Sequence, residues 1–331
     1  MNILSSSPIT LESLQKPVLR ELEMFDKIFR KSLRSSIPLV DLIARYLVWN
    51  KGKRVRPLLV FLSAQISGAI NERTYRAAAL IEMLHTATLV HDDVVDDSDT
   101  RRGVASLNGV WKNKIAVLMG DYLLSKGLLL SLQQGDYQFL HITSEAVKRM
   151  TEGELLQIQK SRQLNIDEET YFRIIEDKTA SLFSACAEIG SVSASSNSAI
   201  NAALQEYGTQ IGIAFQIRDD LLDYLGRRTI LGKPIAADIK EKKITLPMIY
   251  ALRTGDRNSS KRALHMIRKG VKHGDVAWLL DFVQTQGGIE YTVQKANEHI
   301  IKAKAALHQF PDSPAKESLE NFSEFVLQRD K

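Results

Sequence analysis

Two groups of aspartates in this chain share one spacing. The first group reads DDVVD and the second DDLLD, and their members are Asp92, Asp93, Asp96, Asp219, Asp220 and Asp223. On a helix, residues four apart lie one turn apart on the same face, so the first and last carboxylates of each group project side by side. Like charges at that spacing repel. Carboxylates without histidine or thiolate partners suit Mg²⁺, which often completes its shell with substrate phosphates.

A single acidic group could be a solvated helix face. Two such groups, each inside an otherwise apolar helix and each flanked by basic residues, favour metal binding instead. We therefore predict that Mg²⁺ ions hold the aspartates together and that the two groups clamp a diphosphate through bridging metals.

The elements that carry these groups are predicted to be helices. The chain has 331 residues, of which 44% are hydrophobic and 7% aromatic, with only 8 Pro and 18 Gly, and this composition favours helix over sheet. Residues 71–99 contain neither Pro nor Gly. A second helix is predicted to end at Gly226, and breaks are expected near Gly109, Gly120 and Gly135. We predict one all-α domain over residues 1–331, made of many long helices.

The charge pattern and the single cysteine restrict the function classes. The formal net charge is +5, with basic clusters in KGKRVRP, RRG, GRR and GKPIAADIKEKK. No aromatic residues interleave with them in the way that base stacking requires, so nucleic acid is disfavoured. No apolar run reaches the roughly 20 residues of a bilayer span, and no signal peptide is recognisable. Cys186 indicates a reducing compartment, so a cytoplasmic location is expected, and a small core residue is favoured over a nucleophile there.

An ordered series of short motifs runs from about Lys51 to Pro247. The motifs are GKRVRP, LHTATLVHDDVVDD, RRG, LMGDYLLS, EGE, KTA, FQIRDDLLDYLG and LGKPIAADIKEKKITLP. In this order they resemble the trans-isoprenyl diphosphate (polyprenyl) synthases. The resemblance implies an all-α isoprenoid synthase fold, a single large bundle of long, mostly antiparallel helices around a central cavity. It also implies ionisation of an allylic diphosphate, condensation with isopentenyl diphosphate and elimination of a proton.

The resemblance also assigns roles to individual residues. The six aspartates would bind about three Mg²⁺ ions, which turn the allylic diphosphate into a leaving group. The expected isopentenyl diphosphate clamp consists of Lys53, Arg56, His85 and Arg102. The expected contacts to the allylic diphosphate are Arg101, Lys178, Thr179, Gln216, Lys233 and Lys243. Within these sets, catalysis is expected to depend most on Asp92, Asp96, Asp219, Lys178 and Lys233.

The residues before the first aspartate group bear on product length. Ala87 and Thr88 lie five and four residues before Asp92, and Leu84 lies one turn further back. Short-chain members of the family usually place an aromatic residue at one of the first two positions. Small residues there predict a medium or long product, longer than geranylgeranyl diphosphate, with Phe139 or Ile142 as a floor on the facing helix. The alternative is that Ala87 and Thr88 serve only helix packing.

Four other interpretations of the sequence remain open. A short-chain farnesyl or geranylgeranyl diphosphate synthase differs only in product length. A class I terpene cyclase would share one DDxxD, but it would not need GKRVRP or a second aspartate group. A non-catalytic partner subunit that binds prenyl diphosphates tends to lose the acidic motifs, which are intact here. A basic helical protein that binds acidic membranes or nucleic acid would leave both aspartate groups unexplained. The family reading further implies a homodimer, with at most peripheral membrane contact for product release.

Overall fold

The computed structural model describes residues 9–49, 52–101, 103–226 and 237–328. Nearly all of this chain is helical, which confirms the predicted all-α class. The helices are α1 Leu11–Gln15, α2 Leu19–Ser32, α3 Pro38–Trp49, α4 Val55–Ser67, α5 Glu72–Val95, α6 Leu107–Leu132, α7 Tyr137–Gln163, α8 Glu168–Ile175, α9 Ser181–Ala194, α10 Ser198–Tyr224, α11 Ala237–Lys240, α12 Leu246–Thr254, α13 Arg257–Lys269, α14 His273–Thr285, α15 Gly288–Ala306 and α16 Pro314–Gln328.

Three short elements interrupt the helical pattern. A 3₁₀ turn, Lys16–Val18, joins α1 to α2, and a π-helical turn, Glu176–Ala180, joins α8 to α9. Two-residue strands β1 (Thr100–Arg101) and β2 (Val104–Ala105) pair antiparallel between α5 and α6. The hairpin and the π turn both carry residues that the sequence analysis assigned to the site.

The described helices group into two compact units. The first comprises residues up to 144, together with 185–205 and 307–322. In it α4 is buried along most of its length, and α5 packs along α6. The second comprises 145–184, 206–306 and the residues from 323 onward. Its core gathers around Leu246, Met248, Leu279 and Val283, all of which are fully buried.

Helix α5 has well-defined ends. The side chain of Asn71 accepts a hydrogen bond from the backbone N–H of Arg73 at 2.9 Å, and the backbone N–H of Asn71 donates to Oγ1 of Thr74 at 3.3 Å, so two otherwise unpaired amides are satisfied. The helix ends at Val95 with Asp96 as its C-terminal cap, and Asp97 then adopts a left-handed backbone with φ +48°. Aspartate tolerates this conformation better than most residues. The first aspartate group therefore lies on the last turn of a long helix.

The predicted break near Gly120 is wrong, whereas the one expected near Gly109 corresponds to a kink at Lys112, three residues further on. Both residues lie inside α6, whose only non-helical backbone is at Lys112. A Cβ at Gly120 would come within 2.2 Å of the His91 imidazole, and one at Gly109 within 2.5 Å of the Asp99 carbonyl oxygen. These glycines are needed for close approach to α5 and to the segment that follows it, rather than for ending a helix. Gly135, with φ +72°, does lie between α6 and α7.

Helix α6 also corrects the expectation about membrane-length segments. Among the described residues, it alone is long and apolar enough to cross a bilayer by length and composition, although only 33% of the qualifying stretch is buried. The sequence analysis required an unbroken apolar run, and Asp121 and Lys126 interrupt one. Core helices of folded proteins pass the same test, and α6 packs lengthwise against α5. Its other side exposes several large apolar side chains.

Candidate active site

The first aspartate group places its carboxylates in two environments. Asp92 and Asp96 are exposed, and the backbone N–H of Asp96 donates to the Asp92 carbonyl at 2.8 Å, which confirms the predicted one-turn separation. Asp93 is only 4% exposed. The first and last aspartates are therefore the members of this group that a solvated cation can reach.

Asp93 ties the helix end to the hairpin. Its carboxylate accepts a hydrogen bond of 2.7 Å from Nε of Arg101 on β1, and its backbone carbonyl accepts one of 2.8 Å from the N–H of Ser98. Burial raises the pKa of Asp93, and the Arg101 hydrogen bond and charge offset part of that shift. Arg101 was predicted to contact the allylic diphosphate, and here it pairs with Asp93, which was itself predicted to be a metal ligand.

The second aspartate group is more buried than the first. Asp219 is partly exposed, whereas Asp220 and Asp223 are 4% and 0% exposed. Asp220 accepts hydrogen bonds of 2.7 Å each from the Tyr171 hydroxyl and from Nε2 of Gln216. Burial, followed by the charge of Asp238, raises the pKa of Asp220 to about 7.

Asp223 caps the short helix α11. Its two carboxylate oxygens accept from the backbone N–H groups of Ala237 and Asp238 at 3.2 and 3.1 Å. Unpaired amides at a helix start favour a negative charge, so this aspartate has a structural role in addition to its predicted one as a metal ligand.

Five residues predicted from the sequence line one cavity in the second unit. The cavity has a volume of about 180 Å³, and the five are Lys178, Thr179, Gln216, Asp220 and Lys243. Tyr171 and Asp238 also line it. The Thr179 hydroxyl donates to Oε1 of Gln216 at 2.8 Å, and the Gln216 amide donates in turn to Asp220. The sequence assigned Gln216 to substrate but missed its role in connecting these two residues.

Four lysines line the cavity, Lys160, Lys178, Lys242 and Lys243, and the sequence analysis had assigned Lys178 and Lys243 to the site. Nζ of Lys178 donates to Oε1 of Gln157 at 2.6 Å and pairs with Glu154. Nζ of Lys243 pairs with Glu241 at 2.7 Å. Burial is the largest influence on the pKa of Lys243 and lowers it, but the hydrogen bond and charge of Glu241 outweigh burial, so the pKa is raised. An anion in the cavity could bind either Lys178 or Lys243 in place of its glutamate partner.

The predicted isopentenyl diphosphate clamp lies in the first unit. Lys53 is exposed just before α4, Arg56 is partly buried in the first turn of α4, and His85 is partly buried on α5, which packs against α4. Arg102 and Lys233, the remaining predicted contacts to the two diphosphates, lie outside the described residues.

Arg54 is a residue of this region that the sequence analysis did not single out. It has a left-handed backbone (φ +56°) immediately before α4. Its guanidinium pairs with Asp26 at 3.2 Å and with Glu82, and it lies 5.1 Å from the Phe29 ring centroid. Such a buried pairing of arginine with two carboxylates fixes the start of α4. The KGKRVRP motif shows that an arginine stands at position 54, but the motif does not reveal which carboxylates it pairs with.

The chain-length candidates are buried along α5. Ala87 is 0% exposed, Leu84 is 5% exposed and Thr88 is partly buried. Phe139 is also fully buried, with the Arg73 guanidinium 5.0 Å from its ring centroid, and Ile142 is 7% exposed. Arg73 is in the first turn of α5, about 28 Å along the helix axis from Asp92 at 1.5 Å per residue, so Phe139 lies near the end of α5 opposite to Asp92.

The aspartates have the chemistry for a divalent cation but do not form a compact ligand cluster. Within the described ranges, no three His, Cys, Asp or Glu side chains converge as a metal site. Asp92 and Asp96 are in the first unit and Asp219 in the second, and none of these three is buried. An all-carboxylate donor set with few ligands per group fits Mg²⁺, which keeps several waters and takes further oxygens from phosphates.

Comparisons with known proteins show the same family that the sequence motifs predicted. Residues 37–283 match the family model described as polyprenyl synthetase. The chain is 36% identical over 327 residues to octaprenyl diphosphate synthase of Escherichia coli, covering 98% of this chain and 100% of the relative. A decaprenyl diphosphate synthase from Rhodobacter capsulatus has a similar structure, with a TM-score of 0.90, 34% identity and coverage of 97% and 100%. A Caulobacter crescentus polyprenyl synthase complexed with calcium and isoprenyl diphosphate also has a similar structure, with a TM-score of 0.88 and 34% identity. The match covers 98% of this chain and 100% of the other.

Proposed function

Because the chain belongs to the polyprenyl synthetase family, we propose that it condenses isopentenyl diphosphate with an allylic diphosphate to make a long all-trans polyprenyl diphosphate. The observation that carries this proposal is the cavity lined by Lys178, Thr179, Gln216 and Lys243. Two cations, a hydroxyl and an amide at one small cavity form a recognition site for an anion such as a diphosphate.

The reaction needs no protein nucleophile. The allylic C–O bond breaks and its electron pair leaves with the diphosphate, the isopentenyl double bond attacks the resulting carbocation, and a proton is lost to form the new double bond. Lys178 and Lys243 bind the diphosphate, and Thr179 and Gln216 orient it. The departing diphosphate supplies an oxygen that can accept the proton. Cys186, the single thiol, is fully buried and takes no part.

We also propose that the reaction depends on Mg²⁺ held by Asp92, Asp96 and Asp219. When bound, Mg²⁺ neutralises the diphosphate and makes it a better leaving group. The exposed carboxylates of Asp92 and Asp96, one turn apart on α5, support the first part of this assignment. The Caulobacter crescentus polyprenyl synthase of similar structure is complexed with calcium and isoprenyl diphosphate, which supports a divalent cation together with a diphosphate.

A product longer than geranylgeranyl diphosphate is proposed on two grounds. The E. coli relative is an octaprenyl diphosphate synthase. The α5 positions one turn before Asp92 carry Ala87 and Thr88, neither of which is bulky enough to close a hydrocarbon channel. The fully buried Phe139, near the far end of α5, is our candidate for the floor.

We further propose that the protein is a homodimer that buries the outer face of α6. The exposed apolar residues of this face are Val110, Val117, Leu118, Leu128, Leu129 and Leu132, with exposures of 39–58%. Residues 117 and 128, and 118 and 129, are eleven apart and so lie on one side of the helix. A second copy offers the same stripe, and two-fold pairing would remove both stripes from water.

The decisive test is an assay with purified protein, Mg²⁺, radiolabelled isopentenyl diphosphate and farnesyl diphosphate as primer, followed by sizing of the products. We expect products longer than geranylgeranyl diphosphate, and no turnover when Mg²⁺ is chelated. Asp92→Asn and Asp219→Asn should each reduce turnover by orders of magnitude, because each removes a predicted metal ligand. Asp281→Asn, which changes an exposed aspartate on α14 in the same way, should leave turnover unchanged.

Two results would contradict the proposal. A folded wild-type protein that elongates no allylic primer in the presence of Mg²⁺ would exclude the synthase function. Turnover of Asp92→Asn equal to that of Asp281→Asn would exclude the metal-binding role of the first group, whatever the product.

A further inference from the structure

The π turn Glu176–Ala180 carries two of the residues that line the cavity. Lys178 and Thr179 both project from it, between α8 and α9. π-helical turns are rare, and where they occur inside longer helices they are frequently functional. An irregular turn that must present two side chains to a small anion needs contacts that fix its backbone.

Arg149 on α7 supplies the first of these contacts. Its Nε donates to Oδ1 of Asp177 at 2.7 Å, and its Nη2 donates to Oε1 of Glu176 at 2.8 Å. One guanidinium thus donates hydrogen bonds to two consecutive side chains of the turn, and charge-assisted hydrogen bonds of this kind are strong and directional. Arg149 itself is absent from the cavity lining.

Two glycines bring the turn close to its neighbouring helices. A Cβ at Gly153 on α7 would lie 2.7 Å from the Lys178 backbone nitrogen, and one at Gly212 on α10 would lie 2.4 Å from the Ala180 Cα. Neither position can hold a larger residue without moving backbone. The turn is therefore seated against the backbone of a helix on each side.

The side chains that leave the turn repeat this arrangement. Lys178 reaches Gln157, four residues after Gly153, and Thr179 reaches Gln216, four residues after Gly212. Four residues are about one helical turn on the same face. Each glycine therefore lies one helical turn before the side chain that accepts a hydrogen bond from a residue of the π turn.

We propose that Arg149 is a positioning residue for the diphosphate site: it fixes the π turn so that Lys178 and Thr179 present their polar atoms to the anion. This inference rests on the proposed function, in that the anion is the allylic diphosphate. Arg149 acts through Lys178 and Thr179 and makes no contact with the substrate.

Arg173 provides a matched control. It also pairs with Asp177, through Oδ2, but at 3.8 Å and with a side chain that is 72% exposed. Exposed pairs of this kind contribute little to stability. Arg149→Gln and Arg173→Gln therefore remove the same charge and a contact to the same aspartate, but only the first releases the turn.

The test measures substrate kinetics and the binding of inorganic diphosphate with Mg²⁺ by calorimetry. We expect Arg149→Gln to raise the KM for the allylic diphosphate and the Kd for inorganic diphosphate about tenfold, since a shift of the contacting atoms by less than an ångström is costly. The KM for isopentenyl diphosphate should change little, and Arg173→Gln should match the wild type. Amide hydrogen exchange of residues 176–180 should be faster in Arg149→Gln alone.

A double-mutant cycle separates positioning from simple stability. In a Lys178→Ala background, Arg149→Gln should weaken inorganic diphosphate binding by no more than about threefold, because a residue through which it acts is already gone. An equal loss in both backgrounds, or the same weakening for both substrates alongside a lower Tm, would overturn the inference. If the wild type bound diphosphate but transferred no prenyl group, the proposed function would fail, whereas the binding comparison would still decide the role of Arg149.

Discussion

The six aspartates with DDxxD spacing meet different environments, and burial distinguishes them. Asp92 and Asp96 face solvent, Asp93 and Asp220 are held by Arg101 and Tyr171, and Asp223 caps α11. The sequence predicted which residue types gather and at what spacing. It could not predict these partners, because Tyr171 and the amides of α11 come from segments that only folding brings near.

At the residue scale, His299 makes stability dependent on pH. It lies on α15, 9% exposed, with Nδ1 2.6 Å from Oε1 of Gln210. Burial is the main cause that lowers its pKa to about 4 from the usual 6.5. The unfolded chain therefore binds a proton at a pH at which the folded chain does not, so stability is fully present above pH 6.5 and is lost as the pH falls towards 4.

We expect His299→Gln to reduce this loss. At pH 5 the contribution of His299 is about 1–2 kcal/mol after allowance for its residual solvation, which corresponds to a few °C in Tm. The measurement is the difference between the Tm at pH 7.5 and at pH 5, which should be smaller in His299→Gln than in the wild type. His308→Gln, at an exposed position, should leave the difference unchanged. An identical pH dependence in all three proteins would refute the assignment.

At the scale of elements, the sequence located the long helices but predicted a break near Gly120 that the structure does not have. Gly109, Gly120 and Gly212 all lie inside helices, and each is pressed against a neighbouring segment. In a sequence, a glycine that ends a helix and one that lets two segments touch look alike. The π turn could not be predicted either, because its sequence EDKTA continues the helical pattern of the residues on both sides. Tertiary contacts decide both cases.

Helix α5 is expected to set product length through Ala87. Ala87→Phe places a ring five residues before Asp92, about 7.5 Å along the helix. We expect early condensations to proceed and elongation to stop at farnesyl or geranylgeranyl diphosphate, as measured by sizing the dephosphorylated products. Overpacking a fully buried alanine also costs about 1–3 kcal/mol, so Tm must be measured alongside.

Ala79→Phe controls for overpacking alone. Ala79 is equally buried on α5 but lies about 12 Å further from the aspartates and about 80° around the helix from Ala87. Ala79→Phe should lower Tm, but elongation should not stop early as it is expected to do in Ala87→Phe. A stable Ala87→Phe enzyme with wild-type products would show that this part of α5 does not limit the chain.

At the scale of the whole molecule, the all-α architecture and the family membership could both be predicted from the sequence. The motif order fixes them even though each motif alone is weak. The two compact units could not be predicted, because each is assembled from three separate stretches of chain with no change in composition where one stretch ends and the next begins. The outer face of α6 was also missed, since its exposed apolar residues are interspersed with buried ones.

The proposed dimer gives a prediction at this scale. Leu118→Arg introduces a charge into the exposed apolar face of α6, and burying it in a two-fold interface would bring two like charges close together. Sedimentation equilibrium should show about twice the chain mass of 37.2 kDa for the wild type and a shift towards the single-chain mass for the variant. Leu155→Arg is the control, because Leu155 on α7 is similarly exposed (61% against 58%) but lies outside the α6 stripe. A wild type that sediments as a single chain, or two variants with equal masses, would exclude this interface.

The burial of Cys186 has a practical consequence for labelling. It is the only thiol in the chain, it is 0% exposed, and burial raises its pKa to about 12. Thiol reagents attack the thiolate, so the folded protein resists maleimides and disulfide exchange at neutral pH. A cysteine introduced at an exposed position can therefore carry a single fluorophore or spin label without removal of the native residue. The rate at which Cys186 itself becomes labelled then measures how often this part of the first unit opens.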